Sequence, residues 1–206
     1  MILPRLYPIL DTETAARRGV DAVTATARIL EGGARILQFR HKGFWSREVF
    51  GDLERVAELC GKAGVQFVVN DRADLARLMG AALHLGQDDI PPSAARKVVG
   101  DLPIGFSTHN EMQLRAASEE PADYLALGPI FGTGSKANPD PVVGIEELRR
   151  LRPLTKRPLV AIGGITRANA RSVIEAGADS VAVIGDLFPQ DGSIAVRVKE
   201  WIEILG

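Results

Sequence analysis

The sequence predicts a single (β/α)8 barrel, an α/β TIM barrel, spanning residues 1–206 as one domain. Three observations predict it. Eight short β-rich runs alternate with helical stretches. The runs are nearly unbroken apolar segments (VQFVV, YLAL, PLVAI, SVAVI), as expected of parallel strands covered on both faces. At about 26 residues per βα unit, the chain is tight but sits at the lower end of the range for this barrel. An open doubly wound sheet would use fewer strands and longer connections.

The elements follow in order. Leu6–Leu10 is the first strand, and the helical stretch after it closes at Gly32-Gly33. Arg35–Arg40 is the second. It leads into SREVFGDLERVAELCGKAG, where Val49, Leu53, Val56, Ala57 and Cys60 fall on one face at helical spacing. Val65–Asn70 is the third, followed by a helix carrying Leu75 and Leu78 and closing at Gly80. Ala82–Gly86 is the fourth, and a short helix starts at Pro91-Pro92 and closes at Gly100. Pro103–Ser107, Asp123–Gly128, Pro158–Gly163 and Ser180–Ile184 are the remaining four, with TRANARSVIEAG between the last two. A glycine ending a helix takes the left-handed conformation without steric cost. The longest irregular stretch, Pro129 to Val143, is rich in Gly, Pro, Ser and Asn. A loop of that length in a compact domain is usually functional.

Composition sets the boundaries on function. With 25 Lys+Arg against 26 Asp+Glu, the net charge is −1, so no broad basic footprint for nucleic acid exists. The single cysteine, Cys60, excludes an intrachain disulfide and a cysteine metal site. MILPRLYPIL is short and interrupted by Pro4 and Pro8, so it reads as a strand rather than a signal peptide. No apolar run approaches the ~20 residues that span a bilayer. A cytoplasmic protein without nucleic-acid or membrane partners is expected, and a homo-oligomer is left open.

Polar residues collect at the strand exits, where barrel enzymes carry their chemistry. Gln38, Arg40 and Lys42, two apart, form one row of donors suited to a polyanion. Lys136, in a glycine-bearing loop beside Thr133 and Ser135, can close over the same charge. Asp71 after Asn70, and Asp88-Asp89 after the next strand, can share one hard cation. Mg²⁺ prefers one or two carboxylates, waters and phosphate oxygens. The competing reading makes Asp71, and Asp88 or Asp89, caps of the following helices. Gly163-Gly164 and Ile184-Gly185 end the seventh and eighth strands, a common phosphate position in this fold. Ser107 lacks the setting of a nucleophile elbow and reads as a hydroxyl donor to phosphate. His84 reads as a core histidine, His109 as a surface residue at a helix start, and Trp45 and Trp201 as packing residues.

The ordered set QFRHK, VVNDRADLA, HLGQDD, GFSTHN, DYLALGPIFGTGSK, AIGGI and GADSVAVIGDLF resembles the thiamin-phosphate synthase family. The resemblance runs from about Leu6 to Phe188. It implies a (β/α)8 barrel that joins 4-amino-2-methyl-5-hydroxymethylpyrimidine diphosphate to 4-methyl-5-(2-phosphoethyl)thiazole. The implied products are thiamin phosphate and pyrophosphate, with Mg²⁺ required. By position, it implies that Gln38, Arg40, Lys42 and Asn70 contact the pyrimidine diphosphate. Asp71 and Asp89 hold Mg²⁺, with Asp88 a bystander. Ser107 is the family's loop serine, and His84 lies near the pyrimidine. Thr133 and Ser135 face the thiazole phosphate, as do Gly164, Ile184 and Gly185, and Lys136 faces the diphosphate. Arg40, Lys42, Lys136 and Ser107 are the implied catalytic set. The family often has Ser where this chain has Gly185, and an acidic residue where it has His41. A related thiazole tautomerase, a non-catalytic sensor and a phosphosugar isomerase or epimerase are the rival readings. The retained Asp71, Asp89 and Lys136 weigh against the first two. The third needs an acid/base pair that the sequence does not offer.

Overall fold

A computed structural model describes residues 3–132, 140–190 and 192–206. Eight parallel strands close into a barrel: β1 (Leu6–Asp11), β2 (Ile36–Arg40), β3 (Gln66–Asn70), β4 (Ala82–Leu85), β5 (Ile104–Thr108), β6 (Tyr124–Leu127), β7 (Leu159–Ile162) and β8 (Ser180–Val183). Each strand pairs with the next, and β8 returns to β1 through Leu6↔Val181 and Pro8↔Val183. Closure leaves no strand edge unpaired. Every predicted strand is present, with each end within one residue of its predicted position.

Helices among the described residues form the outer ring: α1 (Thr12–Arg17), α2 (Ala22–Glu31), α3 (Arg47–Ala63), α4 (Ala73–Met79), α5 (Pro92–Val99), α6 (Glu111–Glu119), α7 (Ile145–Leu151), α8 (Ala170–Glu175) and α9 (Ile194–Leu205). Sequence chemistry sets their ends. Asp11, Asp21, Ser46 and Asn110 accept amide protons at the starts of α1, α2, α3 and α6. Gly64 and Gly80 close α3 and α4 in the left-handed conformation, as the glycine pattern predicts.

The core has two parts. The larger lies between barrel and helices, and α3 contributes Leu53, Val56 and Cys60 to it, with Val49 and Ala57 half-buried beside them. Each fully buried large side chain there contributes about 1.5–3 kcal/mol. The smaller part fills the barrel with alternate strand residues, including Tyr7, Ile9, Ile36, Val68, Ala82, Tyr124, Val160 and Ala182. The same alternation carries upward to Asp11, Gln38, Arg40, Asn70, His84 and Ser107. The barrel is therefore apolar at its base and polar at the C-terminal mouth. Among the described residues, no helix is long and apolar enough to cross a membrane.

Candidate active site

A cavity of about 440 Å³ opens at the C-terminal mouth of the barrel. It is lined by Gln38, Arg40, Lys42, Asn70, Asp71, His84, Ser107, Gly164, Ile184 and Gly185, all predicted site residues. Its volume lies in the range of small-molecule sites. Thr133, Ser135 and Lys136 lie outside the described residues.

On one side stand the charged groups. Arg40 pairs with Asp11, its register partner on β1. Asp11 is buried, and burial pushes its carboxyl up. Thr14 and Arg40 outweigh that and hold it below the usual carboxylate value. Lys42, beyond the end of β2, reaches Asp71 at 2.5 Å. Asp71 has φ +65°, the single positive-φ residue other than glycine among the described residues. Asp tolerates this region better than most residues, at a cost of about 1–2 kcal/mol. Its amide is fixed by the His84 carbonyl at 2.8 Å.

Neither aspartate caps a helix. The residues before α4 and α5 are Arg72 and Pro91, and neither makes a side-chain capping bond. Asp89 instead turns back and accepts the Gly86 amide at 2.7 Å. Burial pushes its carboxyl up, and the neighbouring Asp71 carboxylate pushes the same way. The Asp71 carboxylate thus disfavours charge on Asp89, and a cation held beside the two would relieve that. Among the described residues, no third His, Cys, Asp or Glu joins them. The donor set therefore fits a hard ion that keeps several waters, as Mg²⁺ does, better than a nitrogen- or sulfur-ligated metal.

The opposite side is built of turns. Gly163 and Gly164 have φ +96° and +63°. A Cβ on Gly163 would sit 2.5 Å from Pro129 Cβ, and one on Gly164 would sit 2.4 Å from the Gly132 carbonyl. The pair thus packs against the β6 loop as well as lining the cavity. Gly185 opens a 3₁₀ turn, Gly185–Leu187, that is anchored by Asp186. Asp186 takes Arg197 at 2.5 Å and the Trp201 indole N–H at 2.8 Å. Trp201 is therefore a hydrogen-bond donor as well as a packing residue.

Several expectations need correction. Ser107 lies inside β5, not in a loop, and its Oγ is 2.9 Å from His84 Nε2. His84 lines the cavity as well as the core. His109 is no surface residue. Its Nδ1 donates to the Gly128 carbonyl at 2.5 Å, its Nε2 lies 3.5 Å from Asp140, and it lines the cavity. Sequence reasoning also missed Asp11, Tyr7 and Tyr124. Asp11 carried the signal already used for Asp71, an acid at a strand exit. The tyrosines carried none, because an aromatic in an apolar run reads as core.

The family model described as thiamine monophosphate synthase matches residues 6–187. The thiamine-phosphate synthase of Koribacter versatilis (strain Ellin345) is 47% identical over 207 residues, covering 98% of this chain and 96% of that protein. The thiamine-phosphate synthase of Chloroflexus aurantiacus is 38% identical over 188 residues, covering 91% and 86%. The solved thiamine phosphate pyrophosphorylase from Pyrococcus furiosus superposes with a TM-score of 0.86 at 31% identity, over 98% of this chain and 95% of that one.

Proposed function

The chain belongs to the thiamine monophosphate synthase family and is an enzyme of thiamine biosynthesis, and on that premise we propose the reaction and the roles of its residues. The substrates are 4-amino-2-methyl-5-hydroxymethylpyrimidine diphosphate and 4-methyl-5-(2-phosphoethyl)thiazole. The products are thiamin phosphate and pyrophosphate. One observation carries this reading: Arg40, Lys42 and Asp71 line one rim of the cavity, Lys42 pairs with Asp71, and Asp89 stands behind that rim beside Asp71. A monophosphate isomerase has no diphosphate that would call for such a rim.

Asp71 and Asp89 would hold Mg²⁺, which when bound neutralises charge on the leaving diphosphate. Arg40 and Lys42, with Lys136 from the β6 loop, donate hydrogen bonds to the same oxygens. These donors act most strongly as the C–O bond breaks, because negative charge then collects on the leaving group. The bonding electrons leave with pyrophosphate, and the pyrimidine-methyl cation is stabilised by its ring amino group. The thiazole nitrogen then supplies the electron pair for the new C–N bond. No protein nucleophile takes part. Gln38, Asn70, His84 and Ser107 hold the pyrimidine. Thr133, Ser135, Gly164, Ile184 and Gly185 hold the thiazole phosphate, so that its ring nitrogen faces the reacting carbon. A cavity cleared of water keeps that nitrogen as the nucleophile.

The test is an assay of the purified protein with both substrates and Mg²⁺, with and without chelator. Product that depends on the metal supports the reading. Saturable binding of the thiazole phosphate without product would overturn it.

A further inference from the structure

Beneath the cavity, five polar side chains from five strands form one hydrogen-bonded line across the barrel. The Gln38 amide nitrogen donates to the Tyr7 hydroxyl at 3.1 Å. The Tyr7 and Tyr124 hydroxyls are 2.7 Å apart. Tyr124 is 3.0 Å from His84 Nδ1, and His84 Nε2 is 2.9 Å from Ser107 Oγ. Gln38, His84 and Ser107 line the cavity, while both tyrosines are buried below it.

A gap in the wall makes the line. Along the sheet, His84 pairs with Gly105, and Gly105 pairs with Tyr124. His84 and Tyr124 are thus two strands apart, and any side chain at position 105 would stand between them. A Cβ there would lie 2.4 Å from the Tyr124 hydroxyl. Because the position is glycine, the two rings meet, with centroids 5.6 Å apart and planes at 29°.

The line has a direction. An amide nitrogen only donates, a hydroxyl has one proton, and a neutral imidazole has one N–H. Gln38 Nε2 can only donate to Tyr7, and among the described residues Tyr124 is the one acceptor within reach of the Tyr7 hydroxyl, so the Tyr7 proton goes to Tyr124. The Tyr124 proton then goes to His84 Nδ1. The imidazole proton is left on Nε2, which donates it to Ser107. The Ser107 proton is the one at the end of the line, at the cavity wall. Both phenols keep their protons at neutral pH: burial pushes Tyr7 up to about 12 and Tyr124 well above the usual phenol value.

We propose that this line holds His84 as its Nε2–H tautomer and so presents the Ser107 hydroxyl as a donor into the cavity, with Tyr124 as the positioning residue. The acceptor is a ring nitrogen of an aminopyrimidine, a choice that rests on the function proposed above. The line reads the neutral ring of the substrate, apart from the charged rim that reads its diphosphate.

The tautomer is measured on the free wild-type protein by long-range ¹H–¹⁵N NMR of its histidines. The chain has three histidines, and His41→Gln and His109→Gln assign the signals. A pyrrole-like Nε2 and pyridine-like Nδ1 on His84 are expected. The opposite pattern, or an imidazolium, would overturn the proposal. Tyr124→Phe removes one oxygen and the donor to Nδ1. It should abolish the single tautomer and raise KM for the pyrimidine diphosphate about tenfold, the size of one lost hydrogen bond. KM for the thiazole phosphate should stay unchanged. An unchanged His84 spectrum in Tyr124→Phe, or equal changes in both KM values, would refute the positioning role. The NMR result needs no substrate. Absence of turnover in the wild type would therefore sink the proposed reaction and leave the tautomer to be judged by itself.

Discussion

Alanine at position 105 should unseat Tyr124. The added Cβ would sit 2.1 Å from Tyr124 Cζ, 2.5 Å from Cε2 and 2.4 Å from the hydroxyl oxygen. Ordinary carbon–carbon contact begins near ~3.5 Å, so the ring must retreat by at least about 1.4 Å. A retreat of that size takes the hydroxyl out of reach of Tyr7 and His84, now at 2.7 and 3.0 Å. Overpacking of this kind costs ~1–3 kcal/mol, and a buried hydroxyl left without partners costs a similar amount. A combined loss of about 3 kcal/mol lowers the melting temperature of a chain this size by roughly 6–12 °C. Calorimetry of Gly105→Ala against wild type measures it. The same alanine placed in a Tyr124→Ala background has no ring to strike, so there it should cost under about 0.5 kcal/mol. A melting temperature within 2 °C of wild type (roughly the shift from under 1 kcal/mol), or an equal cost in both backgrounds, would refute the reasoning.

Four further outcomes are expected. Asp71→Gly relieves the positive φ that Asp71→Ala keeps, so the glycine variant should be the more stable by about 1 kcal/mol in urea unfolding; both should lose at least about 100-fold in activity. Asp89 has a carboxyl raised above 3.8, so what it adds to stability is present below 3.8 and lost as pH climbs through the raised value. Metal-free Asp89→Asn should therefore gain on metal-free wild type as pH rises from 4 to 7, by urea midpoints in chelator; parallel curves would refute this. A Cβ at Gly185 meets nothing within 4 Å, so Gly185→Ser should change stability by less than about 0.5 kcal/mol and lower KM for the thiazole phosphate; calorimetry and steady-state kinetics check both. Lys136→Ala should lower turnover more than it weakens thiazole-phosphate binding, and equal effects would count against its place on the diphosphate.

The barrel was legible because its strands are apolar runs with charged exits. Burial on both faces writes itself into sequence as VQFVV or SVAVI. The rim residues were legible for a related reason: Arg40, Asn70 and Asp71 stand where an apolar run stops. What could not be read depends on contacts across the sheet. Tyr7 and Tyr124 are 117 positions apart and share a hydrogen bond; nothing local to either distinguishes it from a packing aromatic. Gly105 looks like an ordinary strand glycine until its neighbours are known. His109 sits just before the Asn110 cap, a position that suggests solvent, yet the Gly128 carbonyl draws its ring inward. The left-handed backbone of Asp71 follows from the turn into α4, and the residue type permits it without announcing it.

The β6 loop leaves and returns through one doorway. Ile130 and Phe131 donate their amides to Ile162 and Gly163, while Val143 and Gly144 donate theirs to Pro129 and Ile130. Its two ends are therefore fastened to each other and to the turn after β7. Lengthening such a span costs only about 0.6 kcal/mol for each doubling. Evolution can thus lengthen the segment between residues 132 and 140 at small cost to the fold, provided it keeps the lysine that the proposed reaction places on the leaving diphosphate.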